Sequence, residues 1–277
     1  MGVNLQHKIF QSEKCNIHYW HRPGSTSKYV IFLHGAGCDH RMFEPQLPIF
    51  DYSYNLLLWD ARGHGLSKLA SGDKFRFDDM LKDFLKLCEM YGIKNAVLVG
   101  QSMGGNLAQE ILYRNPQLVS KLVLVDCTRN ACRLSIIERF MLKLTKPILY
   151  CYPWKILIDQ SANVCGNTET VKAYVRECLS QMKKREFIEV MMSLMTCLRE
   201  DETYRFPKPV LLLCGRDDRS GNIRRIAVSW AESDPNCTLC MIENAGHNSN
   251  QDNPKAVNRA ISKFLLVNSQ ETPMQLD

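Results

Sequence analysis

The sequence predicts an α/β protein with a mostly parallel, doubly wound sheet, helices on both faces of the sheet, and a helical lid. Two observations predict this class. Short, continuously apolar runs alternate with amphipathic helical patterns along the chain, and most of the runs end at Gly or Asp. Strands that are apolar on both faces are typical of a central parallel sheet covered by helices. The composition, 45% hydrophobic and 23% charged, is ordinary for a globular chain.

The apolar runs predict the strands of this sheet. They are Tyr29–Leu33, Leu56–Asp60, Ala96–Gly100, Leu122–Asp126, Val210–Cys214 and Thr238–Ile242. Before them, Lys8–Gln11 and Cys15–Trp20 are shorter and more polar. Such a pair predicts an antiparallel hairpin at the edge of the sheet.

Amphipathic patterns predict helices between the strands. They cover Phe77–Tyr91, Met103–Arg114, Arg224–Glu232 and Lys255–Leu266, and Asn115-Pro116 ends the second. Strand and helix in repetition indicate a parallel sheet. Ligands of such sheets bind beyond the carboxyl ends of the strands, so the loops after the strands are expected to hold the chemistry.

The alternation stops in the middle of the chain and divides it into three parts. Residues 1–126 and 207–277 are predicted to form the two parts of the core. Residues 127–206 contain no clear strand and place Met191, Leu194, Met195 and Leu198 on one helical stripe. We expect this insertion to form a lid over the carboxyl edge of the sheet. Its methionines, Met182, Met191, Met192 and Met195, are expected to pack the lid onto the core or to form an adaptable pocket wall.

Charge argues against a nucleic-acid partner. The chain has 35 Lys+Arg against 29 Asp+Glu, a formal charge of +6. Its longest basic cluster, Lys183–Arg185, is followed by Glu186, a pattern typical of a solvated helix face. No apolar run approaches the ~18 residues of a membrane span. The sequence leaves the oligomeric state open.

Cysteine usage predicts a cytoplasmic protein with free thiols. The twelve cysteines occur mostly as single residues in apolar stretches, and Met1–Phe10 lacks the apolar core of a secretory signal. Cys237 and Cys240 match C-x-x-C, but residues three apart on a strand face opposite sides. The sequence therefore predicts neither a metal nor an organic cofactor.

One motif predicts a nucleophile. Gly100-Gln101-Ser102-Met103-Gly104 follows a strand and opens a helix, the context that a nucleophile elbow requires. Small flanking residues let strand and helix approach closely, and the tight turn exposes the hydroxyl of Ser102 above the sheet.

A serine needs a base, and His247 is the best placed of the seven histidines. It lies in the loop Asn244-Ala245-Gly246-His247 after the last strand. His34 and His64 also follow strands, but each lies in a turn sequence that favours hydrogen bonding within its own loop.

The base needs an acid, and three carboxylates compete: Asp218, Asp217 and Asp126. Asp218 is favoured because Gly215 turns the chain out of the strand and the following loop brings this side chain back over the edge. Asp217 is expected to point away and pair with Arg216 or Arg219. Asp126 ends an earlier strand and remains an alternative.

Two backbone amides are candidates for an oxyanion hole. The amide of Met103 lies at a helix N-terminus beside Ser102. The loop His34-Gly35-Ala36-Gly37 follows the first strand of the core, and the amide of Ala36 is the expected second donor.

These segments, with Asp60-Ala61-Arg62-Gly63-His64-Gly65-Leu66-Ser67, resemble the α/β-hydrolase superfamily, and most closely its lidded esterases, lactonases and cofactor-free haloperoxidase-like proteins. The resemblance covers about 29–126 and 210–266, whereas the lid has no match. It implies Ser102 as nucleophile, His247 as base, Asp218 as acid, and the amides of Ala36 and Met103 as the oxyanion hole. The turn from Asp60 to Ser67 is similar to one that shapes the core. Gln101 departs from the pattern, since many relatives carry His there.

The implied reaction is acyl transfer through Ser102, with a small to medium, mainly apolar carboxylic ester, lactone or thioester as substrate. Two alternatives stay open: a small-ligand sensor with slow or single turnover, and an acyltransferase or thioesterase. An acyltransferase or thioesterase needs a basic funnel that binds a phosphopantetheine or CoA tail, and Lys183–Arg185 is the candidate for it.

Overall fold

The computed structural model describes residues 3–133 and 136–266, with the backbone alone for 136–143. Its strands are β1 (Gln6–Ser12), β2 (Cys15–Arg22), β3 (Lys28–Leu33), β4 (Tyr54–Trp59), β5 (Ala96–Gln101), β6 (Val119–Val125), β7 (Val210–Gly215) and β8 (Cys237–Ile242). They form an eight-stranded sheet in the order β1-β2-β4-β3-β5-β6-β7-β8. The pairings from β4 through β3 to β8 are parallel, and β2 runs antiparallel to both neighbours. The predicted α/β class with a mostly parallel sheet is confirmed.

Helices connect most of the parallel strands. They are α1 (Phe77–Met90), α2 (Met103–Arg114), α3 (Ile136–Cys151), α4 (Trp154–Cys165), α5 (Glu169–Ser180), α6 (Lys184–Ser193), α7 (Ile223–Ser233), α8 (Ser249–Asp252) and α9 (Pro254–Leu266), with 3-10 helices at His40–Ile49, Pro116–Leu118 and Leu194–Cys197. Within the described residues, no helix is long and apolar enough to cross a bilayer.

The central strands form the core. Every residue of β5 and β7 is buried. Because successive side chains of a strand point to opposite faces, burial at every position means that both faces of the sheet are covered. The helix α1 contributes Met80, Phe84 and Leu87, which share one helix face and are buried. Each such side chain stabilises the fold by roughly 1.5–3 kcal/mol.

The amino-terminal hairpin is present as predicted. β1 pairs antiparallel with β2 from Gln6↔His21 to Ser12↔Cys15. Lys14 lies in the tight turn with a φ of 62°. β2 then pairs with β4, so β1 forms one edge of the sheet.

The end of β6 differs slightly from the prediction. The strand ends at Val125, and Asp126 leaves it with a φ of 47°. A positive φ breaks the extended conformation, so Asp126 turns into the space beyond the sheet edge instead of ending the strand.

The inserted segment, 127–206, lies between β6 and β7. Its described part contains α3 to α6, and residues 134–135 lie outside the described ranges. Its two ends meet: Arg199 donates from its main-chain nitrogen to Asn130, and Cys132 donates back to Arg199. The segment therefore leaves and rejoins the core at one place.

The turn after β4 links distant parts of the core, as the resemblance implies. The carboxylate of Asp60 accepts hydrogen bonds from the main-chain nitrogens of His40 and Leu66. Arg62 is buried and pairs with Asp83 of α1. These polar side chains are buried but satisfied, so they fix loop positions.

Candidate active site

Ser102 occupies a strained turn between β5 and α2. Its φ and ψ are 49° and −113°, and α2 begins at the next residue, Met103. The main-chain nitrogen of Ser102 donates to the carbonyl oxygen of Val125, 2.9 Å away. Holding a non-glycine residue in such a conformation costs of the order of 1–3 kcal/mol, and strain of this kind is concentrated at functional sites.

Two glycines allow this turn to pack. A Cβ on Gly104 would overlap the carbonyl oxygen of Leu33, and a Cβ on Gly100 would overlap the carbonyl oxygen of Gly104. Any larger residue would push α2 away from the sheet. The glycines of the motif therefore have the close-approach role that the sequence predicts.

His247 is held by Asp218. Its Nδ1 lies 3.0 Å from Oδ2 of Asp218, and the two residues are 8% and 3% exposed. A carboxylate only accepts hydrogen bonds, so Nδ1 carries the proton and Nε2 is the acceptor of the neutral ring. His247 and Ser102 line the same cavity.

The charges around His247 favour its protonated form. Burial opposes protonation, but the hydrogen bond that His247 donates to Asp218 and the negative charges of Asp218 and Asp126 raise the pKa of His247 above its ordinary value of 6.5. A base with a raised pKa binds a proton more strongly, which suits an imidazole that must take one from a hydroxyl.

The other two carboxylates have different partners. Asp126 accepts from the main-chain nitrogens of Gly215 (2.7 Å) and Ser249 (2.9 Å). Burial raises the pKa of Asp126 to about 7, and the charge of Asp218 adds to the increase while that of His247 opposes it. Through its two hydrogen bonds, Asp126 joins the backbone at Gly215 to the backbone at Ser249, beside the site.

The expected pairing of Asp217 with Arg216 or Arg219 is wrong. Asp217 is exposed and accepts a hydrogen bond of 2.8 Å from Nδ2 of Asn167. Arg216 pairs instead with Glu243. Asn167 belongs to the inserted segment, whose position the sequence alone does not reveal.

The loop that carries His247 is tied down on both sides. Asn248 donates from its main-chain nitrogen to the carbonyl oxygen of Cys165, 2.7 Å away. On the other side, Gly246 donates to the carboxylate of Asp252, 2.9 Å away. Asp252 also accepts from the main-chain nitrogens of Asn167 and Thr168, so one carboxylate joins the inserted segment to the histidine loop.

The other two loop histidines hydrogen-bond to the main chain, His64 within its own loop as predicted and His34 both within its loop and to the turn after β4. Nδ1 of His34 lies 2.8 Å from the carbonyl oxygen of Gly35, and Nε2 accepts from the nitrogen of Ala61. Nδ1 of His64 lies 3.0 Å from the carbonyl oxygen of Arg62. Burial lowers the pKa of His64 to about 3, so this ring stays neutral.

Met103 follows Ser102 in the chain, and Ala36 lines the same cavity as Ser102. Met103 is the first residue of α2, so its amide is one of those that lack a partner within the helix. Ala36 follows β3 in a loop that Gly37 turns with a φ of 75°. Ala36 and Ser102 line the same cavity, which places this loop beside the hydroxyl.

The cavity has a volume of about 980 Å³. This is near the upper end of the ~300–1,000 Å³ of small-molecule sites. The predicted stripe of the inserted segment, Met191, Leu194, Met195 and Leu198, lines it. Further apolar lining residues of α3 to α6 are Ile148, Leu149, Leu157, Val164, Val175, Leu179 and Phe187.

One buried cluster has the residue types of a metal site. Within the described residues, Asp126, Cys214 and Asp218 bring potential ligand atoms within 4.8 Å of one another. The carboxylate oxygens already accept hydrogen bonds from main-chain nitrogens and from His247, and burial raises the pKa of the Cys214 thiol. The donor set fits a hydrogen-bonded network better than a cation.

Comparisons with known proteins agree with the α/β-hydrolase fold. The family model described as serine aminopeptidase, S33, matches residues 24–253. The chain is 22% identical to an uncharacterized hydrolase, YugF, of Bacillus subtilis over 273 residues, covering 92% of this chain and 96% of YugF. It is 27% identical over 249 residues to a putative non-heme bromoperoxidase, BpoC, of Mycobacterium tuberculosis, covering 87% and 94%. A hydrolase structure from Pseudomonas aeruginosa PA01 aligns with a TM-score of 0.77 at 20% identity, covering 95% of this chain and 99% of that one.

Proposed function

This chain belongs to the serine aminopeptidase S33 family of the α/β-hydrolase superfamily, and we propose that it is a serine hydrolase that cleaves a small to medium, mainly apolar carboxylic ester. One observation carries the proposal. Ser102, on its strained turn, shares a cavity with His247, whose Nδ1 is held 3.0 Å from Asp218.

The first step forms an acyl-serine. Nε2 of His247 takes the hydroxyl proton as Oγ of Ser102 attacks the carbonyl carbon of the ester. The amides of Ala36 and Met103 donate to the oxyanion of the tetrahedral intermediate. The intermediate then collapses, the bond to the alcohol oxygen breaks, and His247 returns the proton to the leaving alcohol.

The second step frees the enzyme. Water gives a proton to His247 and attacks the acyl-serine carbonyl carbon, and the new intermediate releases the carboxylic acid as Ser102 regains its proton. Asp218 keeps the ring in the right tautomer and stabilises the imidazolium in both steps. No step requires a metal or an organic cofactor.

The cavity lining favours an ester over a peptide with a free amino terminus. Recognition of an ammonium group calls for a carboxylate partner. Among the described residues that line the cavity there is no Asp or Glu, whereas the inserted segment supplies a long apolar wall. A mainly apolar acyl or alcohol group fits these surroundings.

The inserted segment, 127–206, acts as the lid in this proposal, between core parts 1–126 and 207–277. Its residues from α3 to the 3-10 helix Leu194–Cys197 line the cavity that contains Ser102. The twelve cysteines are free, which supports a cytoplasmic location for the enzyme.

Covalent labelling with a fluorophosphonate probe tests the proposal. Wild-type protein is expected to bind one probe per chain at Ser102, and Ser102→Ala is expected to bind none. Ser161→Ala and Ser220→Ala are matched controls, because both serines line the same cavity and should leave labelling intact. Labelling that survives Ser102→Ala would contradict the assigned nucleophile.

A panel of p-nitrophenyl esters from acetate to decanoate then tests the reaction. Steady turnover that Ser102→Ala abolishes supports the hydrolase. A single stoichiometric acylation without turnover would favour the sensor. The basic funnel of an acyltransferase finds no support at Lys183–Arg185, since these residues lie outside the cavity lining and Lys183 and Arg185 pair with Glu186 and Glu189.

A further inference from the structure

Among the described residues, the charged side chains that line the cavity have one sign. Among the described lining residues, Arg219 and Arg225 are the permanently charged ones, and none is Asp, Glu or Lys. The rest of the wall is apolar or carries neutral polar groups such as Ser220 and Asn222. Cationic side chains that face no carboxylate among the described lining residues attract a negatively charged ligand.

The two arginines differ in their surroundings. Arg225 already interacts within the protein. Arg219 is exposed, and in the described part of the chain no carboxylate lies within 4.0 Å of its guanidinium. Of the two carboxylates that precede it in the chain, Asp218 accepts from His247 and Asp217 accepts from Asn167.

The backbone fixes where Arg219 starts. Oδ1 of Asp218 accepts from the main-chain nitrogen of Ser220, 2.7 Å away, so the residue between them belongs to a tight turn anchored on the carboxylate that holds His247. This turn and the apolar stripe of Met191, Leu194, Met195 and Leu198 both line the cavity. The cationic Arg219 and the apolar stripe therefore line the same cavity.

We propose that Arg219 binds a carboxylate carried by the substrate at the end away from the scissile bond. The inference rests on the proposed ester hydrolysis and names its substrate class: an ester whose acyl or alcohol part is apolar and ends in a carboxylate. Arginine suits this role, because its planar fork binds a carboxylate through two parallel hydrogen bonds.

Matched neutral and anionic esters test the proposal. The probes are p-nitrophenyl octanoate, mono-p-nitrophenyl suberate with the carboxylate in the acyl part, and 4-carboxyphenyl octanoate with it in the alcohol part. Wild-type protein is expected to prefer one anionic probe by about 10-fold to 100-fold in kcat/KM, mainly through a lower KM, the range of a charge-assisted hydrogen bond.

Three variants make the test specific. Arg219→Gln should remove the preference and leave hydrolysis of p-nitrophenyl octanoate within about two-fold, and Arg219→Lys should restore part of it. Arg224→Gln is the charge-matched control, since Arg224 is exposed on α7 and lies outside the lining. An equal loss in Arg224→Gln would assign the preference to net charge and overturn the proposal.

A binding measurement separates this inference from the proposed function. Ser102→Ala protein, which cannot turn over the probes by the proposed route, is titrated calorimetrically with each intact ester, with and without Arg219→Gln. Tighter binding of an anionic probe that depends on Arg219 supports the site even if turnover fails. Serine-dependent turnover with equal affinity for neutral and anionic esters would overturn the inference and leave the hydrolase intact.

Discussion

The side-chain amide of Gln101 donates a hydrogen bond of 2.8 Å to the main-chain carbonyl oxygen of His247. The residue before the candidate nucleophile therefore holds the loop of the candidate base, across a sequence separation of 146 residues. Gln101 is buried, with 1% of its surface exposed. The departure from the family pattern at this position has a structural consequence for the site.

Replacing Gln101 with methionine keeps the side-chain length and removes the donor. We expect kcat for a neutral ester to fall about ten-fold with little change in KM, because a buried carbonyl left without its donor costs about 1–3 kcal/mol and the histidine loop relaxes. Gln46→Met is the matched control: Gln46 is equally buried and donates 2.8 Å to the carbonyl oxygen of Asn250. Equal losses of kcat in both variants would show that Gln101 affects only stability.

The three candidate carboxylates are predicted to differ in their effect on turnover. Asp218→Asn should lower kcat by about 10³-fold to 10⁴-fold, because an amide in this place favours the wrong tautomer of His247. Asp217→Asn should change kcat by less than about three-fold, since Asp217 faces Asn167 and not the ring. Steady-state kinetics on one ester, with circular dichroism to check folding, measures the order. A larger loss in Asp126→Asn than in Asp218→Asn would reassign the acid.

The pH profile is predicted to have an acid limb set by His247. The ring acts as a base only when neutral, so kcat/KM falls as the pH decreases through its pKa, with a midpoint above 6.5. In Asp218→Asn the residual activity should show a lower midpoint, because the interactions that raise the pKa are lost. Burial also raises the pKa of Asp126, to about 7. An acid limb that disappears in Asp126→Asn would therefore belong to Asp126.

Asp252 is predicted to couple the inserted segment to the histidine loop. Its carboxylate accepts from the nitrogens of Gly246, Asn167 and Thr168. Asp252→Asn replaces an acceptor oxygen with a donor, so we expect the free energy of unfolding to fall by about 1–3 kcal/mol and kcat/KM to fall several-fold. Urea unfolding and kinetics on the same preparations measure both quantities.

Asp159→Asn is the control for this pair of measurements. Asp159 lies on α4 and pairs with Arg176 at the surface, away from His247. An exposed ion pair contributes about 0–1 kcal/mol, so this variant should change neither quantity much. If Asp252→Asn behaved in the same way, the coupling would be absent.

The sequence by itself determined the elements of the fold. Strands that are apolar on both faces and helices with one apolar stripe are local patterns. Their side chains repeat every two residues in a strand and every 3.6 residues in a helix, so they can be recognised in the sequence directly. The motif around Ser102 is a local pattern of the same kind, because the strand, the helix and the glycines that force the turn lie within a few positions of it.

Only the tertiary structure decided which distant groups meet. Asp218 lies 29 positions from His247, and which of the candidate carboxylates contacts Nδ1 depends on how two loops turn. The contacts of Asp217, Cys165 and Asp252 depend on where the helices of the inserted segment pack. The cavity beside Arg219 depends on the same packing. Such contacts produce no periodic pattern in the sequence, because they form between segments that are far apart in the chain and are brought together only by tertiary packing.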